Sequence, residues 1–491
     1  GDDVENFIST VISIIIWILK NILWINILLA ILVVFFERRD PKSTWLWLMI
    51  FFFLPGIGFI FYLLAGQDLK KRNMFKLKEE EDKYIRDLVR NQERNIQRNQ
   101  LNFDDPEIKE HQDLIQYHLA ASESIYFQNN KVEVYFSGQD KFKALIDSLE
   151  KAEEFIHMEY YIIRNDNIGK KIMKILTDKA KAGVEVKLLY DGMGGRHLPK
   201  DFGKELVDGG GKIGVFFPSF GLFNLRINYR NHRKICVIDG KEAFIGGFNI
   251  GDEYLGLSKR FGFWRDTHLK IEGEAITGLE WRFLLDWRFA SKEEFQFDRK
   301  YFPELEPKGK TSIQIVSSGP DSKWSSIKDG YFKMISNARQ KVYIQTPYFI
   351  PDDSILESLK IAALSGIDVR IIIPSKPDHP FVYWASLSYM GELLKAGVRF
   401  YIYNNGFIHS KVVISDDVLS SVGSANLDIR SFELNFEVNA FMYDEEINKK
   451  ITDKFIDDLN FCKEITMEEY EKRSFIIKFK ESISRLLSPI L

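Results

Sequence analysis

The chain has 491 residues, enough for two or three domains with full cores. A net charge of −3 gives no global basic field to attract nucleic acid, which counts against a nuclease or nucleic-acid-binding protein. Cys236 and Cys462 are the only cysteines, so a disulfide framework is excluded and a Cys-based metal site is not expected.

The chain opens with a hydrophobic segment, residues 1–66. Trp45 to Gly66 runs 22 residues without a charge, long enough to span a bilayer, with Pro55-Gly56 as a tolerable kink. Ile22 to Phe36 is also charge-free, and a span from about Ile14 would leave Lys20 near one end, where it can snorkel. Trp17, Trp24, Trp45 and Trp47 suit interfacial belts. A signal peptide is the competing reading, but the stretch is too long and lacks a basic start and a small-residue cleavage site. The expectation is two membrane helices joined by Glu37–Thr44, the alternative being a first segment that lies in the interface. Arg38, Arg39 and Lys42 in the hinge are outnumbered by Lys70, Lys71, Arg72, Lys76 and Lys78 beyond it. If both segments span, the protein is multi-pass and the region that follows them falls on the cytoplasmic side.

Residues 67–119 are charge-dense and read as a solvated linker helix. Strands and helices then alternate. Phe155–Ile163, helical Ile168–Ala182 and the strand Val184–Tyr190 return as Val342–Ile350, Ser354–Ser365 and Val369–Ile373. Gly183 and Gly366 close the two helices. One α/β unit repeated twice therefore fills residues 120–300 and 301–465. A Phe-rich insertion, Pro218–Tyr229, sits just before the first motif; with Phe216, Phe217, Phe220 and Phe223 it is either core or lipid-contacting. Residues 466–491 form an amphipathic helix in which Phe475, Ile476, Ile477, Phe479, Ile483, Leu486 and Leu487 alternate with Lys and Arg. Core packing and membrane-surface contact are both open for it.

The chemistry is concentrated in a repeated motif. His409, Lys411 and Asp416 repeat the His-x-Lys-x4-Asp of His232, Lys234 and Asp239, 177 positions earlier. Small-residue turns ending in Asn follow each: Gly246-Gly247-Phe-Asn249 and Gly423-Ser424-Ala-Asn426, again 177 apart. Two copies in register argue for a duplicated active site rather than two ordinary buried strands. Phosphodiester exchange needs a nucleophile, an acid for the leaving oxygen and positive charge or donors around the phosphoryl oxygens. One His cannot attack phosphorus and protonate the group departing in line on the far side; two can. Lys234 and Lys411 would supply charge, and the Asn249 and Asn426 amides would supply phosphate-stabilising donors. His and Lys, two apart, share a face of a covered strand (Ile235–Ile238, Val412–Ile414), whereas Asp239 and Asp416 fall at its far end. Those motif Asp residues are expected to serve as turn or hydrogen-bond anchors. His111, His118, His157, His197, His268 and His379 show no paired ligand spacing, so neither a metal nor another cofactor is expected. Cys236 reads as a small buried thiol, and Tyr160, Tyr161 and Tyr348 as candidates to line the pocket.

These motifs resemble the phospholipase D superfamily, and within it the bacterial cardiolipin synthases. His157-Met-Glu-Tyr-Tyr161, Leu189-Tyr-Asp-Gly-Met193, Asn231-His-Arg-Lys234, Ile245-Gly-Gly-Phe-Asn-Ile-Gly-Asp252, Gln345-Thr-Pro-Tyr-Phe349 and the run Ser424 to Glu437 carry the likeness, which extends over essentially the whole chain. It implies a duplicated phospholipase D-type mixed β-sheet sandwich flanked by helices. It also implies a transferase that joins two phosphatidylglycerol molecules into cardiolipin, releasing glycerol. His232 is then the nucleophile, an assignment the near-symmetric motifs alone do not decide. Acids at about the positions of Asp266 and Glu437 pair with the motif His in relatives; their other reading is as carboxylates at strand ends. Hydrolysis or another acceptor alcohol is the alternative within the class, and a nuclease the alternative outside it.

Overall fold

The structure, a computed structural model, describes residues 13, 17, 20–22, 24–32, 41–59, 62, 83–98, 100–218, 229–293, 298–376 and 380–486. The chain divides into an N-terminal unit, up to Glu79, and a catalytic body from Glu80.

In the N-terminal unit, residues 24–32 and Pro41–Phe53 are helical. Pro55-Gly56 interrupts the second helix, with Gly56 at φ +79°, and helix resumes at residues 57–59. The two segments touch: Asn26 Nδ2 donates to Phe51 O at 2.6 Å, and a Cβ on Gly56 would lie 3.1 Å from Ile22 Cδ1. Trp47, Phe51 and Tyr62 form a small aromatic core, while Trp24, Trp45, Phe52 and Phe53 point outward. Among the described residues no helix is long and apolar enough to cross a membrane. Residues 33–40, 60–61 and 63–66, needed for the expected spans, lie outside the described residues, as do residues 67–82.

The linker departs from expectation. In place of one solvated helix there are the helix Lys83–Gln97, a 3-10 turn Pro106–His111 and the helix Gln112–Ser122. Ile85, Val89 and Ile96 are buried in the core of the second half, and Gln92 bonds both backbone groups of Tyr126. Apolar residues at helical spacing, hidden among many charges, give this helix a buried stripe.

Each half builds its mixed sheet in the same strand order. In the first, Lys212–Phe216, Glu185–Asp191 and Phe155–Tyr160 run parallel; the motif strand Lys234–Ile238, the strand Glu242–Gly246, Trp264–Glu272 and Tyr126–Ser137 continue antiparallel. In the second, Arg399–Tyr403, Asp368–Pro374 and Lys341–Gln345 are parallel, followed antiparallel by Val412–Ser415, Leu419–Gly423, Asn435–Tyr443 and Thr311–Ser318. The duplication thus holds strand for strand. The two sheets are not independent, however: Tyr126–Ser137 also pairs with Thr311–Ser318, which joins them into one continuous ladder. Gly183 and Gly366, at φ +94° and +89°, end the helices Asn167–Lys181 and Asp353–Leu364.

The motif Asp residues fasten strand starts. Asp239, at φ +53°, accepts from the backbone N–H of Glu153, Glu154 and Phe155 at 2.9, 2.8 and 2.8 Å. Asp416, at φ +52°, does the same for Arg339, Gln340 and Lys341 at 2.9, 2.8 and 3.1 Å. Two buried arginines tie the halves together. Arg233 pairs with Asp286 and donates through Nε to Glu437 O at 3.1 Å; Arg265 donates to Asp458 Oδ2 at 2.8 Å.

Phe216 and Phe217 are buried against Phe289 and Phe436, so this part of the Phe-rich insertion is core; Phe220 and Phe223 lie outside the described residues. The helix Phe475–Leu486 rests on Pro380–Ala396 with Glu481 and Ser484 buried, Lys480 lying over Trp384 and Arg485 over Tyr389. Phe475, Ile476 and Phe479 face away from the body, the reverse of a core-packed amphipathic helix.

Candidate active site

The site is built by exchange between halves. Arg230–Asn231 pairs in parallel with the start of Asn435–Tyr443, and His232 N donates to Phe436 O at 2.9 Å. That register sets Glu437 Oε1 3.2 Å from His232 Nδ1. In the other half, Phe407–Ile408 pairs in parallel with Trp264–Arg265, and His409 N donates to Arg265 O at 2.8 Å. Asp266 Oδ2 then lies 2.7 Å from His409 Nδ1. Each motif His is therefore met by the acid of the opposite half.

Each acid is itself held. Glu437, fully buried, accepts from Ser424 Oγ at 2.5 Å. Asp266 accepts from Thr267 N at 2.8 Å and fills the space beside Gly247, where a Cβ would sit 2.0 Å from Asp266 Oδ1. Gly247 and Ser424 occupy equivalent turn positions, so one turn makes room for its acid and the other donates to it.

Both Nδ1 atoms have a second neighbour. Lys411 Nζ lies 2.8 Å from His409 Nδ1, and Asn435 Nδ2 lies 3.2 Å from His232 Nδ1. One nitrogen cannot donate to a carboxylate and also accept from an ammonium or amide. A buried carboxylate must be satisfied, so Nδ1 carries the proton and Nε2 presents its lone pair to the pocket. Lys234 and Lys411 donate instead to the carbonyls of His232 and His409, two residues back on the same strand face.

Burial lowers the His232 pKa to about 4, against the raising effect of Glu437. His409 is lowered by burial and then by Lys411, against Asp266. Burial lowers Lys234 to about 8, opposed by Glu437, Asp266, Asp191 and Glu159 in that order. Lys234 thus feels both orienting acids, which puts the two clusters in one electrostatic pocket. Burial pushes the Glu437 carboxyl up, but His232, Lys234 and Ser424 together hold it below its usual range.

The Asn turns are braced more than open. Asn249 Oδ1 accepts from Ile162 N at 3.1 Å, and its side chain also bonds Tyr254. Asn426 N donates to Ser431 Oγ at 3.3 Å, and its side chain bonds Asp428. Tyr161 lies over His232, ring centroids 4.3 Å apart, but Tyr160 points the other way, receiving Lys141 Nζ at 3.0 Å in the core. The strand ends at Tyr160, and Tyr161 lies on the bend that follows it. His157 is a core residue, its Nδ1 2.7 Å from Glu280 Oε1. Among the described residues no group of His, Cys, Asp and Glu is gathered as metal ligands would be. The crosswise pairing escaped sequence reasoning because the contact register between halves has no local signature. Asn435, two residues before Glu437, was visible only as part of its motif.

A family model described as "Cardiolipin synthase, PLD-like domain" matches residues 145–261 and again 331–459. A second, "Phospholipase_D-nuclease N-terminal", matches residues 24–67. The major cardiolipin synthase ClsA of Bacillus subtilis is 50% identical over 469 residues, 95% of this chain and 97% of that one. A cardiolipin synthase of Listeria monocytogenes is 49% identical over 477 residues, 97% and 99% of the two chains. The crystal structure of phosphatidylserine synthase from Haemophilus influenzae superposes with a TM-score of 0.60 at 16% identity, covering 77% of this chain and all of that one, a likeness of fold. Identity of this order along nearly the full length, with the family model matched once in each half, places the chain in the cardiolipin synthase family of the phospholipase D superfamily.

Proposed function

We propose that the protein is a membrane phosphatidyltransferase that makes cardiolipin and glycerol from two phosphatidylglycerol molecules. The observation that carries this reading is the pair of histidines, each with Nδ1 facing an acid of the opposite half, at 3.2 Å for His232 and 2.7 Å for His409. His232 Nε2 attacks phosphorus, the bond to the glycerol oxygen breaks, and His409, which has taken up a proton at Nε2 on binding of the anionic lipid, gives that proton to the departing oxygen. A hydroxyl of the second phosphatidylglycerol then attacks the phosphatidyl-histidine, surrendering its proton to His409 as the P–N bond breaks. Lys234, Lys411 and the remaining amide hydrogens of Asn249 and Asn426 offset the charge on the phosphoryl oxygens. An approaching phosphodiester anion raises the His409 pKa, readying the acid for its task. Asp239 and Asp416 act at a distance, by fixing the strands.

The domain reading follows: residues 1–66 embed in the membrane, 67–119 connect, 120–300 and 301–465 form the catalytic halves, and 466–491 lie on the membrane surface. The outward Trp24, Trp45, Phe52 and Phe53 support the first assignment, and the outward Phe475, Ile476 and Phe479 the last. The basic residues after Gly66 favour a cytoplasmic catalytic body. Thin-layer analysis of products from purified protein and defined lipids tests the function. Cardiolipin with one glycerol per molecule made, from phosphatidylglycerol alone, is expected. Phosphatidic acid as the main product, or a strict need for a nucleotide-activated lipid, overturns it.

A further inference from the structure

Three arginines act on Tyr161 through their charge, outside the histidine and lysine machinery. Arg230 lies two residues before His232 on the segment paired with Asn435–Phe436, so alternation places both side chains on one side. Arg430 is in the first turn of the short helix Ile429–Glu433, which follows the Asn426 turn and is capped by Asp428 accepting from Ser431 N at 2.6 Å. Arg196, on the turn after Glu185–Asp191, is exposed and donates to His197 Nε2 at 3.0 Å. Tyr161, against the His232 ring, feels the positive charge of all three. Burial and then the neighbouring charge of Arg230 lower the Arg430 guanidinium, each acting more strongly than Asp428 in the opposite sense. At Tyr161 the three arginines are opposed by the carboxylate of Asp191, which acts more strongly than any one of them.

The phosphoryl group under attack already has Lys234 and Lys411. Water and free glycerol bring no charge of their own, but an acceptor phosphatidylglycerol brings a second phosphodiester, three carbons from its reacting hydroxyl. We propose that Arg230 and Arg430, with Arg196 at the rim, form a second phosphodiester subsite that holds the acceptor lipid's phosphate beside Tyr161. Guanidinium forks suit a phosphodiester because they bind two of its oxygens at once. The subsite selects a phosphatidyl acceptor over neutral alcohols and water. It rests on the transferase reading above.

The test uses the full chain in neutral detergent micelles with phosphatidylglycerol as donor and two competing labelled acceptors. One is free glycerol; the other is glycerophosphoglycerol, the deacylated head group with its phosphodiester. In Arg430→Gln and Arg230→Gln the ratio of kcat/KM for glycerophosphoglycerol over glycerol is expected to fall about 10- to 100-fold, through KM for the anionic acceptor. Arg430→Lys should recover part of the ratio, which a merely structural role would not give. An unchanged ratio in a protein that makes cardiolipin, whether total activity holds or collapses, overturns the subsite alone. If the unsubstituted protein yields only phosphatidic acid, the transferase reading fails and the subsite falls with it.

Discussion

Asp266 in the first half accepts the Nδ1 proton of His409 in the second, at 2.7 Å across 143 positions of sequence. The bond fixes the tautomer that leaves Nε2 facing the phosphodiester. Asp266→Asn should lower kcat by about 10³- to 10⁴-fold, on the scale of removing the orienting acid from a His in other hydrolytic sites. Glu437→Gln should act equally strongly, but on formation of the covalent intermediate. Rapid-quench measurement of the two half-reactions separates them; an equal effect of both substitutions on both steps would contradict the division of labour.

The intermediate itself distinguishes the histidines. With labelled phosphatidylglycerol, His409→Ala should let acid-labile phosphatidyl label persist on the protein, and His232→Ala should abolish it. Label mapped by mass spectrometry to His409 in place of His232 would reverse the assignment.

The pH dependence should be set on its alkaline side by Lys234. Its pKa, lowered to about 8 by burial, means that the ammonium is lost as pH rises through that value, and kcat/KM should decline there. Lys234→Arg, which stays charged, should be slower yet lack that limb. On the acid side, His232 is depressed to about 4 in the folded protein, so the unfolded chain binds the extra proton first. Stability should therefore be full above pH 6.5 and fall as pH drops from there towards 4. Urea midpoints across pH 4 to 8 check the sign.

Much of this site was legible in the residues. The His-x-Lys spacing puts both side chains on one strand face, and the far position of Asp239 points to an anchor. The repeated apolar runs disclose the duplicated strand-helix-strand unit. What was not legible depends on pairing between segments far apart. Nothing near His232 announces that its neighbour strand will be Asn435–Tyr443, and in the run 83–97 the helical spacing of Ile85, Val89 and Ile96 is hidden by the many charges around it.

Asp239→Ala removes the acceptor for three backbone N–H groups at the start of Phe155–Tyr160. A loss of about 2–4 kcal/mol of stability is expected, with kcat at 20 °C changed by less than about tenfold. Denaturant titration alongside initial rates tests this; a loss of rate without loss of stability would make Asp239 a participant in the chemistry.

Turnover should survive chelation of divalent metals in neutral detergent micelles, because Lys234 and Lys411 supply the positive charge. Activity abolished by EDTA and restored by one particular metal ion would refute this.

The unlike partners of the two histidines carry an evolutionary consequence. A symmetric homodimer of one half would present two chemically identical imidazoles, and any change that tuned one would tune both. Fusion into a single chain lifts that restraint. Here one histidine meets an aspartate beside a bare glycine, the other a glutamate steadied by a serine hydroxyl. Selection can then adjust the basicity of the attacking group and the acidity of its counterpart separately, a freedom that no assembly of identical subunits has.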